Sequence, residues 1–136
     1  MIRLIVGNKG SGKTKRLITM VNEAVAAAKG DVLCIEKTTK LQNDIDMKAR
    51  LIDINDYEVR GYDALYGFLT GLFAANYDTT DIFVDQTLKI GGDNLVDFSQ
   101  LVQKLIPVAG KEGFSITFTV SCDAAALPET LKQYVI

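Results

Sequence analysis

The sequence predicts an α/β fold, a three-layer αβα sandwich built on a mostly parallel sheet. Short apolar runs rich in β-branched residues alternate along the chain with segments whose apolar residues recur at helical spacing. This alternation favours βαβ crossovers, which produce parallel strands covered on both faces. The chain has 136 residues, 48% of them hydrophobic and 24% charged, which is typical of one well-cored domain. We therefore expect a single domain over residues 1–136.

The first predicted elements lie on either side of a glycine-rich segment. Residues 2–6 form a short apolar run that predicts a buried strand. Apolar residues then recur at helical spacing over 13–29, and Gly30 stands where the C-terminal cap of a helix belongs. The next apolar run, 31–35, predicts a second buried strand.

The middle of the chain predicts an edge strand, a helix and a further buried strand. The polar stretch 40–48 is compatible with a short helix, whereas 49–54 alternates as a short strand at a sheet edge does. Helical spacing of apolar residues returns between Leu65 and Phe73. The run 81–85 is apolar and ends in a carboxylate, which predicts another strand.

The last third predicts a loop, a long helix, a strand and a short final helix. The loop covers 86–94 and contains two adjacent glycines. The long helix follows, with Asp93 or Asn94 as its cap. Residues 115–120 predict a strand, and Pro128 stands at the start of the final helix.

Composition excludes several classes of function. A net charge of −2 gives no basic field, so nucleic acid is not expected as a partner. The chain has no histidine, and Cys34 and Cys122 lie far apart, which disfavours a zinc site and a Ser-His-Asp triad. Both cysteines are expected to be free core thiols. The N-terminal apolar run is too short for a signal peptide or a bilayer span, so we expect a cytoplasmic protein without membrane insertion.

The most specific motif is a phosphate-binding loop. The pattern G-x-x-x-x-G-K-[ST] is matched in full by Gly7-Asn8-Lys9-Gly10-Ser11-Gly12-Lys13-Thr14. Gly7, Gly10 and Gly12 are expected to take positive φ and turn backbone N–H groups onto phosphate oxygens, beside the N-terminus of the following helix. Lys13 would reach the β- and γ-phosphates, and the Thr14 hydroxyl would bind Mg²⁺. A glycine-rich turn without a ligand is the plainer interpretation, but such a turn needs no Lys-Thr pair after it.

The run that ends at Asp85 has the form of a Walker B strand, with apolar residues that bury the strand and an acid at its tip. Asp85 would hold Mg²⁺, usually through water, beside Thr14. The alternative is an aspartate that merely forms a turn. Gln86 follows, where many P-loop ATPases carry a water-activating Glu. An amide can orient a water but cannot accept its proton at neutral pH, so hydrolysis needs another base or is slow.

These motifs resemble the P-loop NTPase superfamily and, within it, the RecA-like branch of ATPases. In that branch an additional strand lies between the P-loop strand and the Walker B strand, a place that residues 32–35 are expected to fill. The resemblance implies a catalytic acid at Glu36, which ends the strand after the P-loop helix, and a γ-phosphate sensor at Ser121, which closes a strand. The plainer interpretations are a Glu36 that is solvated or paired with Lys37 or Lys40, and a Ser121 that forms a turn.

The polar loop 86–94 would lie next to the terminal phosphate. Its Gly91-Gly92 pair would allow movement, and Lys89 would touch the nucleotide or a partner. We hypothesise that this loop senses the state of the nucleotide. An ordinary surface loop explains the same residues equally well.

The leading functional hypothesis is a nucleotide-binding domain that binds ATP with Mg²⁺ and hydrolyses ATP weakly or when a partner stimulates it. Lys13, Glu36, Gln86 and Ser121 are the candidate catalytic residues. A protein partner or a homo-oligomer is compatible with this hypothesis. Two alternatives stay open: a non-hydrolysing, nucleotide-dependent interaction module, and a small-molecule kinase of the nucleoside type. The sequence lacks DxxG after Asp85 and lacks N-K-x-D, which disfavours a GTPase.

Overall fold

Five parallel strands form one sheet in the part of the chain that the structure describes. The computed structural model describes residues 1–27, 30–38 and 40–136. The strands are β1 (Ile2–Gly7), β2 (Asp31–Glu36), β3 (Arg50–Asp53), β4 (Thr79–Val84) and β5 (Ser115–Ser121). Their order across the sheet is β1-β5-β4-β2-β3, and every neighbouring pair is parallel. The α/β class and the parallel sheet predicted from the sequence are confirmed.

Helices cover both faces of this sheet. The α-helices are α1 (Lys13–Ala27), α2 (Tyr62–Ala75), α3 (Thr87–Gly91) and α4 (Leu95–Glu112). Short 3-10 helices lie at Ile54–Tyr57, Ala124–Ala126 and Glu129–Tyr134. Leu17 of α1 packs in one apolar cluster with Ile5 of β1, whereas Leu69 of α2 and Leu105 of α4 pack with Leu4 in another. Because adjacent strand residues point to opposite faces, α1 lies on one face and α2 and α4 on the other, which confirms the three-layer sandwich.

The strand between β1 and β4 is β5. Residues 32–35, expected in that place, instead belong to β2, on the far side of β4. This expectation is wrong because a parallel crossover can pass over several strand positions, so the order of strands along the chain does not give their order in space. The prediction of an edge strand at 49–54 is confirmed, since β3 (Arg50–Asp53) lies at the edge of the sheet.

The first helix is described over most of its predicted length. The helix α1 is described as far as Ala27, and residues 28 and 29 of the predicted 13–29 helix lie outside the described residues. Gly30 is required for close packing, because a Cβ there would overlap the carbonyl oxygen of Asp78. That carbonyl accepts a hydrogen bond of 2.7 Å from the Asp31 amide. Gly30 therefore brings the start of β2 close to the start of β4.

The stretch 40–48 forms turns, so the short helix expected there is wrong. Its buried side chains, Leu41 and Ile45, join the apolar cluster beneath α1. Asn22 of α1 fixes the stretch through both of its side-chain atoms, since Nδ2 donates to the Asp44 carbonyl and Oδ1 accepts from the Asp46 amide. Within the stretch, Asp46 Oδ1 accepts a hydrogen bond of 2.9 Å from the Lys48 amide, and local bonds of this kind compete with helix formation.

The segment expected as a polar loop contains the helix α3. Thr87, Leu88 and Ile90 are buried, so their backbone is folded onto the core as a single helical turn. A five-residue helix is too short for a periodic pattern to reveal, and this is the reason that the sequence predicted a loop.

The helix α4 and the final helix are close to expectation. Asn94 is the N-cap of α4, because its Oδ1 accepts hydrogen bonds from the amides of Val96 and Asp97. The helix ends at Gly113, which takes φ 72° and supplies a left-handed C-cap. Pro128 precedes the last helix as expected, but that helix is of the 3-10 type.

The chain closes the outer edge of β1 with its last residues. Leu4 pairs with Val135 in a parallel bridge, and the Ile136 amide donates to the Leu4 carbonyl at 3.0 Å. Both cysteines are free: Cys34 is in the core as expected, whereas Cys122 is only half-buried. None of the helices in the described ranges has the length and apolarity needed to cross a membrane.

Candidate phosphate-binding site

The loop between β1 and α1 is shaped by two left-handed glycines. Gly10 takes φ 84° and Gly12 takes φ 89°, as predicted for this loop. Residues with a side chain rarely adopt this conformation, so glycine is required at both positions. The same prediction is wrong for Gly7, whose φ is not positive. Gly7 is instead needed because a Cβ would overlap the Ser11 side chain, which folds back over the end of β1.

Two hydrogen bonds to Asn8 close the loop. The Ser11 amide donates to the Asn8 carbonyl at 3.1 Å, and Lys13 Nζ donates to the same carbonyl at 3.0 Å. The helix α1 begins at Lys13, so the first amides of the helix face the loop. Free amides at a helix N-terminus, together with an ammonium group, make a site suited to an anion.

Asp85 lies directly beside this loop. It follows β4, is only 2% exposed, and accepts a hydrogen bond from the Thr14 hydroxyl, whose oxygen lies 3.2 and 3.3 Å from the two carboxylate oxygens. The structure therefore brings together two residues that are 71 positions apart in the sequence. Because the Thr14 proton is directed to Asp85, the lone pairs of its oxygen are free for another partner.

Thr119 is a residue of this site that the sequence analysis missed. Its hydroxyl donates to Asp85 at 2.7 Å and accepts a hydrogen bond of 2.7 Å from the Gln86 amide. Thr119 is 1% exposed and lies on β5, between β1, which leads into the loop, and β4, which leads to Asp85. The signal in the sequence was the alternation of hydroxyl and apolar residues along β5 (Ser115 to Ser121), which places Thr119 on the α1 face.

Gln86 has a strained backbone. Its φ of 52° is in the left-handed region, where residues other than glycine are uncommon. The conformation turns the chain sharply from Asp85 into α3, and the hydrogen bond from the Gln86 amide to Thr119 holds it in place. Such strain occurs most often at functional sites.

Many of the predicted residues surround one cavity of about 440 Å³, whereas Gly7, Asn8, Ser11, Glu36 and Asp85 do not line it. Most of the residues around it were predicted from the loop motif or as catalytic candidates; the lining of the cavity is Lys9, Gly10, Gly12, Lys13, Thr14, Lys15, Gln86, Lys89, Thr119 and Ser121. Ser121 lies opposite Gly7 in the sheet, which puts it at the lip of this cavity. The lining carries four lysines and no carboxylate among the described residues, although the whole chain has a net charge of −2. The cavity is therefore suited to a polyanion.

Glu36 is near the cavity but does not belong to its lining in the described part of the chain. It ends β2 on the α1 face, and the sheet register places it beside Asp85 on the neighbouring strand. The carboxylate is 3% exposed and accepts a hydrogen bond of 3.3 Å from the Leu41 amide. Burial, and then the nearby carboxylates of Asp85 and Asp53, raise the pKa of Glu36, although the Leu41 amide opposes the rise.

The residues of the site fit a hard divalent cation that is shared with a phosphate. The Thr14 hydroxyl lines the cavity, and the buried Asp85 carboxylate lies behind it, within hydrogen-bond distance of Thr14. Over the described ranges no three His, Cys, Asp or Glu side chains form a group that could enclose a metal by themselves. Mg²⁺ fits such a sparse set, since it commonly uses one or two protein oxygens and takes its remaining ligands from phosphate and water.

Neither a family model nor a curated protein matches the sequence. Function is therefore inferred from the residues of the site and their geometry.

Proposed function

We propose that this protein binds a nucleoside triphosphate, ATP in the first instance, with Mg²⁺ in the cavity next to Lys13, and that it hydrolyses ATP weakly or when a partner stimulates it. The observation that carries the proposal is the contact between Thr14 and Asp85, residues 71 positions apart. A glycine-rich turn that binds no ligand does not require a buried acid next to the Thr14 hydroxyl. A site for a magnesium nucleotide requires such an acid.

Each residue of the site has a role in this proposal. The loop amides and Lys13 bind the phosphates, and Thr14 and Asp85 present oxygen to the cation. Thr119 positions Asp85 through its hydrogen bond. Bound Mg²⁺ supplies charge neutralisation for the phosphoryl group. Positioning and charge account for most of the catalysis of phosphoryl transfer, so the set supports turnover even without a strong base.

Glu36 is the candidate general base, and Gln86 orients the attacking water. A raised pKa makes the Glu36 carboxylate a stronger proton acceptor than an ordinary glutamate. Its hydrogen bond to the Leu41 amide has to loosen for the carboxylate to reach the cavity. This arrangement supports slow hydrolysis that accelerates when a partner moves Leu41 away from Glu36.

The second candidate function is a nucleotide-dependent interaction module that does not hydrolyse ATP. It is favoured by the position of Glu36, which the described cavity lining does not include, and by the amide of Gln86, which accepts no proton at neutral pH. Under this alternative the bound triphosphate stabilises one conformation for a protein partner or a second copy of the chain. A cytoplasmic location, where ATP and Mg²⁺ are abundant, belongs to both candidates.

Calorimetric binding of Mg-ATP and Mg-GTP, combined with phosphate release, tests the proposal. We expect the wild type to bind Mg-ATP and to lose that affinity when Mg²⁺ is chelated. Lys13→Ala is expected to lose at least about tenfold in affinity, because a charge-assisted contact to phosphate is removed. Lys48→Ala, which removes an exposed lysine outside the cavity lining, is the matched control for charge.

Phosphate release separates the two candidate functions. Release that is lost in Glu36→Gln while binding is retained supports hydrolysis with Glu36 as the base. Binding without release in the wild type supports the interaction module. Release of ADP that requires an added nucleoside indicates a kinase. A wild type without magnesium-dependent affinity for any triphosphate contradicts the proposal as a whole.

A further inference from the structure

The helix α3 holds Lys89 at a fixed place beside the cavity. Leu88 and Ile90, on either side of Lys89, are buried in the core. The Lys89 amide donates to the Gln86 carbonyl at 3.0 Å, so the lysine is tied to the strained turn that follows Asp85. A lysine between two buried neighbours in a hydrogen-bonded turn has a well-defined Cα position, unlike a lysine in a mobile loop.

The far end of α3 is fastened to α2. The Gly61 amide donates to the Ile90 carbonyl at 3.0 Å, and the Tyr62 hydroxyl donates to the Gly92 carbonyl. The Tyr62 ring lies so close to Gly91 that a Cβ there would overlap it. In addition, Lys37 Nζ donates to the Lys89 carbonyl at 3.0 Å. The backbone around Lys89 is thus held by its own helix, by the Lys37 side chain and by the start of α2.

The side chain of Lys89 is exposed and lines the same cavity as Lys13. Of the four lysines in that lining, as far as the structure describes it, Lys89 alone comes from the β4 side, whereas Lys9, Lys13 and Lys15 come from the loop and α1. One strand, β5, separates β1 from β4, so the strand ends that lead into the loop and into α3 lie about 10 Å apart. Within the described residues Lys89 forms no ion pair with a carboxylate.

We propose that Lys89 is a second phosphate-binding cation, which contacts the terminal phosphate from the side opposite the loop and makes the site selective for triphosphates over diphosphates. This proposal rests on the proposed function and adds a specificity-determining residue to it. A diphosphate held by the loop amides and Lys13 ends before the β4 side of the cavity, so removal of Lys89 affects a triphosphate far more than a diphosphate. Lys89 also places a positive charge, from the same chain, next to the phosphoryl group that is transferred.

The test compares the affinities of Mg-ATP and Mg-ADP in the wild type, Lys89→Ala and Lys89→Arg, with Lys48→Ala as the control for lost charge. We expect Lys89→Ala to weaken Mg-ATP binding by at least about tenfold and to change Mg-ADP binding by less than about twofold. Lys89→Arg retains a cation and is expected to keep most of the preference for ATP. Where the wild type releases phosphate, we expect the rate of release in Lys89→Ala to fall by a larger factor than the affinity for ATP.

The two proposals fail in different ways. If the wild type binds neither nucleotide, both proposals are wrong. If the wild type binds Mg-ATP and Lys89→Ala leaves the ratio of ATP to ADP affinity unchanged, only the role of Lys89 is wrong. If Lys89→Ala weakens the binding of both nucleotides equally, the loss is a general electrostatic effect, and the proposed role of Lys89 is again wrong. A circular dichroism spectrum and unfolding midpoint like those of the wild type establish that Lys89→Ala is folded.

Discussion

At the scale of single residues, one hydroxyl group connects three parts of the candidate site. Thr119 donates to the Asp85 carboxylate and accepts from the Gln86 amide, while Thr14 donates to the same carboxylate. Asp85 is almost fully buried, and a buried carboxylate is costly unless hydrogen bonds satisfy it. Thr119 therefore contributes both to the stability of the fold and to the orientation of the acid.

Replacement of Thr119 by valine keeps the shape of the side chain and removes the hydroxyl. We expect a loss of about 1–3 kcal/mol in the free energy of unfolding, because Asp85 and the Gln86 amide each lose a partner. We also expect magnesium-dependent nucleotide affinity to fall by about tenfold or more, as for other residues that orient a metal ligand. Urea unfolding and calorimetric titration measure the two effects.

Thr117→Val is the matched control for this prediction. Thr117 is a buried residue on the same strand and face, and its hydroxyl accepts a hydrogen bond of 3.1 Å from Arg3 Nε, away from the cavity. It is expected to lower stability and to leave nucleotide affinity unchanged. Equal effects of both variants on nucleotide affinity contradict a positioning role for Thr119.

The residues of the site differ in how far the sequence could predict them. The loop of residues 7–14 is contiguous, so its pattern predicts its shape, and Asp85 follows an apolar run that is easily recognised. The contact of Thr119 with Asp85 depends on β5 lying beside β4, which only the strand order reveals. The positive φ expected for Gly7 is wrong, because the pattern of glycines does not reveal that the Ser11 side chain lies against Gly7.

At the scale of elements, α3 connects the cavity to the opposite layer of helices. It begins one residue after Gln86, and its last residues contact Tyr62 at the start of α2. The glycines that suggested a mobile loop have a structural reason instead. Gly91 makes room for the Tyr62 ring, and Gly92 takes φ 112°, a conformation that favours glycine.

Gly91→Ala is expected to destabilise the protein by about 1–3 kcal/mol, because the added methyl group overlaps the Tyr62 ring, which is buried against Phe98. Gly110→Ala is the control: it lies in α4, and a Cβ there meets open space. That variant is expected to gain about 0.5–1 kcal/mol from helix propensity. Urea unfolding distinguishes them, and a neutral Gly91→Ala contradicts the close contact of α3 with Tyr62.

Element prediction succeeded where apolar patterns are long and failed where contacts with distant parts of the sequence decide the local structure. The buried strands and the helices α1, α2 and α4 follow from runs and periods that span several residues. In the stretch 40–48, the spacing of Leu41 and Ile45 is compatible with a helix, but the hydrogen bonds of Asn22 select turns. Those bonds join residues more than twenty positions apart, so the local sequence does not contain them.

At the scale of the whole molecule, the sheet assembles a row of polar groups across three strands. Glu36, Asp85 and Thr119 end up side by side on β2, after β4 and on β5, all on the face that α1 covers. Burial raises the pKa of Glu36, and the neighbouring carboxylate of Asp85 adds to the rise. The stability of the fold is therefore linked to pH through this row.

The sign of this linkage follows from the direction of the pKa shift. A glutamate whose pKa is raised on folding binds its proton more tightly in the folded chain, so its contribution to stability is complete below the ordinary pKa of about 4.3 and is lost as the pH rises through the folded value. Each pH unit between the two pKa values corresponds to about 1.4 kcal/mol.

Glu36→Gln is expected to be more stable than the wild type at pH 7 and to lose that advantage near pH 4. The amide oxygen keeps the hydrogen bond from Leu41 and cannot ionise, which removes the linkage. Glu23→Gln removes an exposed carboxyl group and is the control for the lost charge. Thermal or urea unfolding at both pH values measures the difference; an advantage of the same size at pH 4 and pH 7 contradicts the raised pKa.

The left-handed turn at Gln86 also limits which side chains evolution can place next to Asp85. Branched residues such as valine and isoleucine are disfavoured in that backbone conformation, whereas an unbranched side chain is tolerated, as Gln86 itself demonstrates. Glutamine and glutamate codons differ by a single base, and the two side chains have nearly the same shape. The scaffold thus stands one point mutation from having a carboxylate in place of an amide in the lining of the cavity.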